Sequence, residues 1–554
     1  MAKKNNRKHD EEIIFDSDAR IGYAEAEDDL EFLKDCYVDF GQIKRALDTE
    51  DPGSILLGRT GSGKTAALLR IREAETNTID IEPQHLSLNF IANSDVLSFF
   101  HEIGVNLDLF FQLLWRHVLC IEIINYHYNV RSKSDAERAF GVIKRLLGRD
   151  ENKKFALEYV SECGPTFWIE TQGRIKEIVE RFENELLAGV DLSSVGVPIN
   201  ASGASSVSKE QTSEITLAAK KVVDGVQIRK LSKLMDIMAE DIFTDTKRKY
   251  FILIDKLDER WVDDSLRYRL IRALIETIKS FRKIRTVKIV ICMREDLLER
   301  VYKYTRDSGF QEEKYEDFNI PIRWSEPELM DVVDKRISSF ARRRFTKEGV
   351  GFFDLFPKRY DPQKGTFNYL VQRTQYRPRD IIAFINFIMQ AAVGQRQITK
   401  TIINKAEQTY SKKRFEALCT EWVDEHPNLN EYIELLRGLP TRFNLSDLTE
   451  NNVAEALYKL HECTSSPDGV VDSVKDYMNS KTSYDSVRAR IVAVLFKVGA
   501  IGIKAMETDP VQFSYLSSYV LHAENLSSDT RISVAPMLWR YLGSYRGRLK
   551  GDLT

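Results

Sequence analysis

Eight consecutive residues, Gly58-Arg59-Thr60-Gly61-Ser62-Gly63-Lys64-Thr65, stand in the spacing G-x-x-x-x-G-K-T. A phosphate chain needs converging backbone N–H groups, and only positions without a side chain let it come close. Lys64 would reach the terminal phosphates as a point charge, and the Thr65 hydroxyl would ligate Mg²⁺. Ala66 follows in the first helical turn, where orphan N–H groups and the helix dipole favour an anion. A second candidate group is Asp255, at the end of the apolar run Tyr250-Phe251-Ile252-Leu253-Ile254. In open α/β sheets ligands bind beyond the carboxyl ends of strands, so Asp255 is expected to hold Mg²⁺, largely through water. Lys256 then occupies the position directly after it, where a carboxylate could polarise an attacking water. Asp258 or Glu259 is expected to take that role, with Asp258 favoured; the competing account is that both simply start the next helix.

Three arginines complete the set. Arg294 ends the run Val287–Met293 and could read the γ-phosphate, or pair locally with Glu295 or Asp296. Arg377 and Arg379 flank Pro378 at a helix start, where positive charge is unfavourable without a nearby anion. They are expected to close over the nucleotide phosphates.

These groups demand a particular set of elements. Ile55–Leu57 reads as the strand before the loop, and Ala66–Leu69 as part of the helix after it. Residues 250–254 and 287–293 read as strands buried on both faces, as parallel sheets require. A further strand is predicted at 85–90 and a long apolar helix at 96–128. The helix carrying Phe32, Leu33, Cys36 and Tyr37 is expected beside the nucleotide core. Residues 130–235 read as a helical insertion with a Gly/Ser/Val-rich loop or short hairpin at about 188–213. The run Arg342-Arg343-Arg344 reads first as a solvated helix end, with a trans-acting arginine supply or a nucleic-acid contact as the alternatives. Near the C-terminus, a helix at 491–498 followed by GAIGIKA and QFSYLSSYV predicts a two-stranded wing.

The chain has 554 residues, too many for one core. The expected division is a disordered basic tail at 1–12, a nucleotide core at 13–300, a helical lid at 301–410 and a C-terminal helical and winged-helix-like domain at 411–554. Lys and Arg total 81 against 84 Asp and Glu, so a net charge of −3 excludes a whole-chain basic field. The six cysteines show no C-x-x-C pairing, which argues against a zinc site or disulfide framework and fits a reducing cytoplasm. No run of about 18 apolar residues occurs, so no membrane partner is expected.

The motifs GRTGSGKT, YFILIDKLDERW, IVICMRED and YRPRDIIAFIN, in this order, resemble those of AAA+-related and STAND-like bacterial P-loop ATPases. The RPRDII segment and the lead-in IGYAEAEDDLEFLKDCYVD narrow the likeness to FunZ-type phage-exclusion ATPases. The resemblance implies an α/β P-loop NTPase core with a parallel sheet, a helical lid and a winged-helix tail. It also implies ATP and Mg²⁺ as cofactors, and a switch in antiphage defence that acts as a homo-oligomer or on a partner effector. Lys256 departs from the general pattern, so slow turnover is expected. The alternative is a nucleotide-regulated DNA-binding protein that uses the tail and Arg488, Arg490, Arg540, Arg546 and Arg548.

Overall fold

The computed structural model describes residues 13–41, 43–83, 99, 101–102, 105–129, 133–147, 184, 213, 215–216, 228–259, 261–306, 311–345, 349–463, 468–504, 509–516, 521 and 526–545. The predicted tail at 1–12, strand at 85–90, loop at 188–213 and most of the insertion lie outside them, as do Arg546 and Arg548. The chain divides into two compact units. A sheet unit comprises residues 41–59 and 64–322. A C-terminal unit comprises the N-terminal segment to Phe40, the four residues Thr60–Gly63, and everything from Arg323 onward.

The sheet unit is built on five parallel strands: β1 (Ile55–Leu57), β2 (Thr78–Ile81), β3 (Tyr250–Ile254), β4 (Val287–Met293) and β5 (Asn319–Pro321), in the order β2-β3-β4-β1-β5. Every residue of β3 and β4 is buried, which explains their nearly unbroken apolar sequences. The register pairs Leu57 with Met293 and Ile254 with Ile291, so β1, β3 and β4 end at one edge of the sheet. The helix Lys64–Ala74 follows β1 and turns Ala67, Leu68 and Ile71 into the core. The helix Asp108–Tyr128 buries Phe110, Phe111, Leu114 and Trp115, and the Trp115 indole donates to the Leu270 carbonyl at 2.8 Å. Those aromatics are therefore core. The buried exception in β4 is Lys288, whose ammonium donates to the carbonyls of Arg45, Asp48 and Asp51.

In the C-terminal unit, the helices Glu326–Phe345, Pro378–Ala391 and Lys400–Glu421 pack around Ile337, Phe340, Phe384, Ile385 and Tyr410. A short hairpin, β6 (Arg359–Asp361) and β7 (Lys364–Gly365), joins them. The helix Leu30–Cys36 belongs to this unit. Its neighbour is the helix Glu326–Phe345: Asp29 and Arg336, both buried, pair at 2.5 Å. Arg342, Arg343 and Arg344 likewise pair with Asp35, Glu31 and Asp16, so this helix end is held by the N-terminal segment.

The rest of the C-terminal unit packs the helices Glu450–Glu462, Gly469–Met478 and Tyr484–Lys497 on a four-stranded sheet. Its strands are β8 (Arg442–Asn444), β9 (Ile501–Lys504), β10 (Gln512–Phe513) and β11 (Arg531–Val534), in the order β10-β9-β11-β8, all antiparallel. The predicted wing pairing of β9 with β10 is present. The wing is nevertheless part of a larger sheet, because β11 pairs with both β9 and β8. Among the described residues, no helix is long and apolar enough to cross a membrane.

Candidate functional site

The glycine-rich loop leaves β1 and ends in the helix beginning at Lys64. Gly61 and Gly63 have φ of 77° and 96°, the left-handed region that a side chain disfavours. In the sheet unit, Lys64 folds back so that its ammonium donates to the Gly58 and Arg59 carbonyls at 3.0 and 3.1 Å. Burial lowers the Lys64 pKa, and Arg294 lowers it further, while Asp258 and Asp255 oppose the shift. Among the described residues the hydrogen bonds of Lys64 go to neutral carbonyls, partners that an anion could replace. The Thr65 hydroxyl donates to Asp255 Oδ2 at 3.0 Å, and the Lys256 amide donates to Asp255 Oδ1 at 2.9 Å. Burial raises the Asp255 pKa, against the lowering effect of those two hydrogen bonds and of Lys64. The structure thus brings Lys64, Thr65 and Asp255 together at the edge where β1 and β3 end.

Lys256 has φ of 59°, unusual for a residue with a Cβ, and its ammonium pairs with Glu82 at 3.2 Å. Glu82 immediately follows β2, the strand beside β3. Sequence reasoning missed it, because nothing local marks a glutamate that long-range pairing places beside Asp255. Asp258 and Glu259 are exposed in the turn after β3, and their carbonyls accept from Arg267 at 3.3 and 3.1 Å. The next helix begins at Asp264, so they are turn residues and do not start it. The Asp258 charge acts on Lys64, Asp255 and Cys292. The Glu259 carboxyl is raised by partial burial and by the charges of Asp258, Glu82 and Asp255, while Lys256 lowers it. Cys292, also unforeseen, is a buried thiol beside Asp255 and Lys64; burial raises its pKa well above the ordinary value, so it is an unreactive neighbour.

Arg294 directly precedes the helix Glu295–Thr305 and grips Asp296 through two bonds of 2.9 Å, a bidentate pair. Arg300 joins the same carboxylate at 2.8 Å. The local pairing weighed in the sequence is therefore formed, although Arg294 still lies close enough to Lys64 to lower its pKa.

Thr60–Gly63, the tip of the loop, is held within the C-terminal unit by its carbonyls. Arg377 Nη1 donates to Thr60 O at 3.1 Å, the Arg379 amide donates to Gly61 O at 3.3 Å, and Trp324 Nε1 donates to Ser62 O at 2.8 Å. A Cβ on Gly61 would lie 2.9 Å from the Arg379 Cβ. The Thr60 and Ser62 hydroxyls are buried and lack a hydrogen-bond partner among the described residues. The buried Arg377 also meets Glu421 at 3.0 Å. The anion expected near this arginine is thus supplied by a side chain of the protein. Arg379 directs Nε to the Ala24 carbonyl at 2.9 Å. Of the tail arginines, Arg488 pairs with Asp485, Arg490 donates to the Gly469 carbonyl and Arg540 meets Glu407.

A five-stranded parallel sheet with helices, a glycine-rich loop after β1 and a partly buried carboxylate after β3 define an α/β protein joined to a C-terminal helical region. Residues 327–419 of that region match the FunZ-associated C-terminal helical domain. The chain is also similar to the "Putative transposon gamma-delta 80.3 kDa protein" of Escherichia coli (strain K12), at 20% identity over 546 residues, covering 96% of this chain and 68% of that protein.

Proposed function

We propose that this chain is an ATP- and Mg²⁺-binding P-loop NTPase of AAA+/STAND-like architecture that works as a slowly turning nucleotide switch in antiphage defence. The observation that carries the reading is the 3.0 Å hydrogen bond from Thr65 to Asp255, which joins the loop helix to the carboxylate of β3. A hydroxyl and a carboxylate at that spacing are hard oxygen donors suited to Mg²⁺, with water and phosphate oxygens completing the shell. The desolvated Lys64, the left-handed glycines at 61 and 63 and the unpartnered Thr60 and Ser62 hydroxyls suit an anion.

When bound, Mg²⁺ would offset the charge of the β- and γ-phosphates. The chain's own contributions follow from the donors. Loop amides from Gly58 to Ala66 bind the phosphate chain, and Lys64 exchanges its carbonyl partners for the γ-phosphate. Asp258, exposed and acting on Lys64 and Asp255, orients the attacking water. Lys256, tied to Glu82, leaves the position after Asp255 without a base, so slow turnover is expected. The match over residues 327–419 and a relative whose name refers to a transposon support a setting among mobile elements. The test is phosphate release from Mg·ATP by the intact chain and by Lys64→Ala. Slow release that vanishes in the variant is expected; equal release by both would remove the site.

A further inference from the structure

The three carbonyls at the loop tip point toward donors of the C-terminal unit. Because the peptide group is planar and trans, each C=O is antiparallel to the N–H that follows it. Drawing the carbonyls of Thr60, Gly61 and Ser62 onto Arg377, Arg379 and Trp324 therefore turns the N–H groups of Gly61, Ser62 and Gly63 to the opposite side. Arg377 thus acts on the backbone that presents the amides.

Glu421 holds Nη1 of Arg377, and Nη2 is held by the buried Gln375. Its Oε1 accepts from Arg377 Nη2, and its Nε2 donates to the Gly499 carbonyl at 3.2 Å. The guanidinium demands an acceptor and the carbonyl demands a donor, so the amide has one possible orientation. Gly499 sits at the turn between the helix Tyr484–Lys497 and β9, with φ of 80°. Gln375 and Tyr376 themselves have φ of 49° and 56°, two successive left-handed residues with side chains. Such a turn persists only where the surroundings hold it. Here the surroundings are Gly499 on one side and Arg377 on the other.

We infer that Gln375 is a positioning residue that couples the β9 end of the C-terminal sheet to the phosphate affinity of the loop, through Arg377 and the Thr60 carbonyl. The inference rests on the phosphate-loop reading and adds a regulatory route to it. Coupling is reciprocal: what the nucleotide does to β9, a partner docked on that sheet would do to the nucleotide.

The experiment uses the full chain with Mg·ATP, following hydrogen exchange of the Ile501–Lys504 amides with and without saturating nucleotide. In the unsubstituted protein, nucleotide should slow exchange there at least threefold. Gln375→Glu still accepts from Arg377 but has no proton for Gly499, and should abolish that protection at saturating nucleotide. Gln375→Ala loses both contacts and should also weaken nucleotide binding about tenfold, the scale of one hydrogen bond to a charged group. If Gln375→Ala does not fold, the other two proteins decide. Nucleotide binding without any change in β9, or full protection in Gln375→Glu, overturns the coupling alone. No nucleotide binding by the unsubstituted chain overturns the phosphate-loop reading and the coupling with it.

Discussion

Gly61 and Gly63 differ in a way that a pair of alanine substitutions exposes. Both are left-handed, with φ of 77° and 96°, so alanine at either costs about 1–2 kcal/mol of conformational energy. At Gly63 the added Cβ would meet Trp324 at 3.7 Å, an ordinary contact. At Gly61 it would lie 2.9 Å from the Arg379 Cβ and 3.1 Å from its Cδ, atoms held by the start of the helix Pro378–Ala391. Overpacking of this kind adds about 1–3 kcal/mol. Gly61→Ala should therefore lose about 2–5 kcal/mol of loop stability and Gly63→Ala about 1–2. The empty loop can relax, so these are upper bounds on the loss of nucleotide affinity. The expected contrast is an affinity about tenfold weaker in Gly61→Ala than in Gly63→Ala, read by titration with fluorescent Mg·ATP. Equal losses would show that Arg379 does not press on the loop, and no loss in either would refute the phosphate-loop geometry.

Two further outcomes follow from the sheet unit. Asp258→Ala should bind Mg·ATP normally and lower phosphate release by about a hundredfold, the usual contribution of a positioned base; unchanged release would remove Asp258 from that role and direct attention to Glu82. Lys288 is buried, and burial lowers its pKa to about 8 despite Asp51 and Asp48. Its folded pKa lies below the unfolded one, so its stabilising effect is present above the unfolded pKa and lost as pH falls through about 8. In urea unfolding, the native protein should gain about 2–3 kcal/mol on Lys288→Met between pH 8 and 10; a gap that does not change with pH would contradict it.

The parts legible in the sequence were those whose signal is local. Residues 250–254 and 287–293 are buried on both faces, so their apolar runs announce parallel strands, and the glycine spacing of the loop needs no partner to be recognised. The expected fold class is met at the level of a parallel α/β sheet with a C-terminal helical region. Local signals failed where distant residues decide. The strand Thr78–Ile81 carries a charged residue and only four positions, and its pairing with β3 is what makes it a strand. β11 and β8 pair across most of the C-terminal region, and Asp29 finds Arg336 from the far side of the chain. Arg377 lay on the expected helix start, but Glu421, Gln375 and the Thr60 carbonyl, all remote in sequence or hidden by a turn, determine what its charge does.

The central claim is that Lys64 and its loop hold a nucleoside triphosphate. Its most direct test is calorimetric titration of the full chain with Mg·ATP, beside Lys64→Ala, with both proteins shown to be folded by their melting curves. One site per chain is expected. Loss of a charge-assisted contact worth about 2–3 kcal/mol should weaken binding in the variant by roughly 30- to 150-fold. Equal affinities in the two proteins would contradict the account.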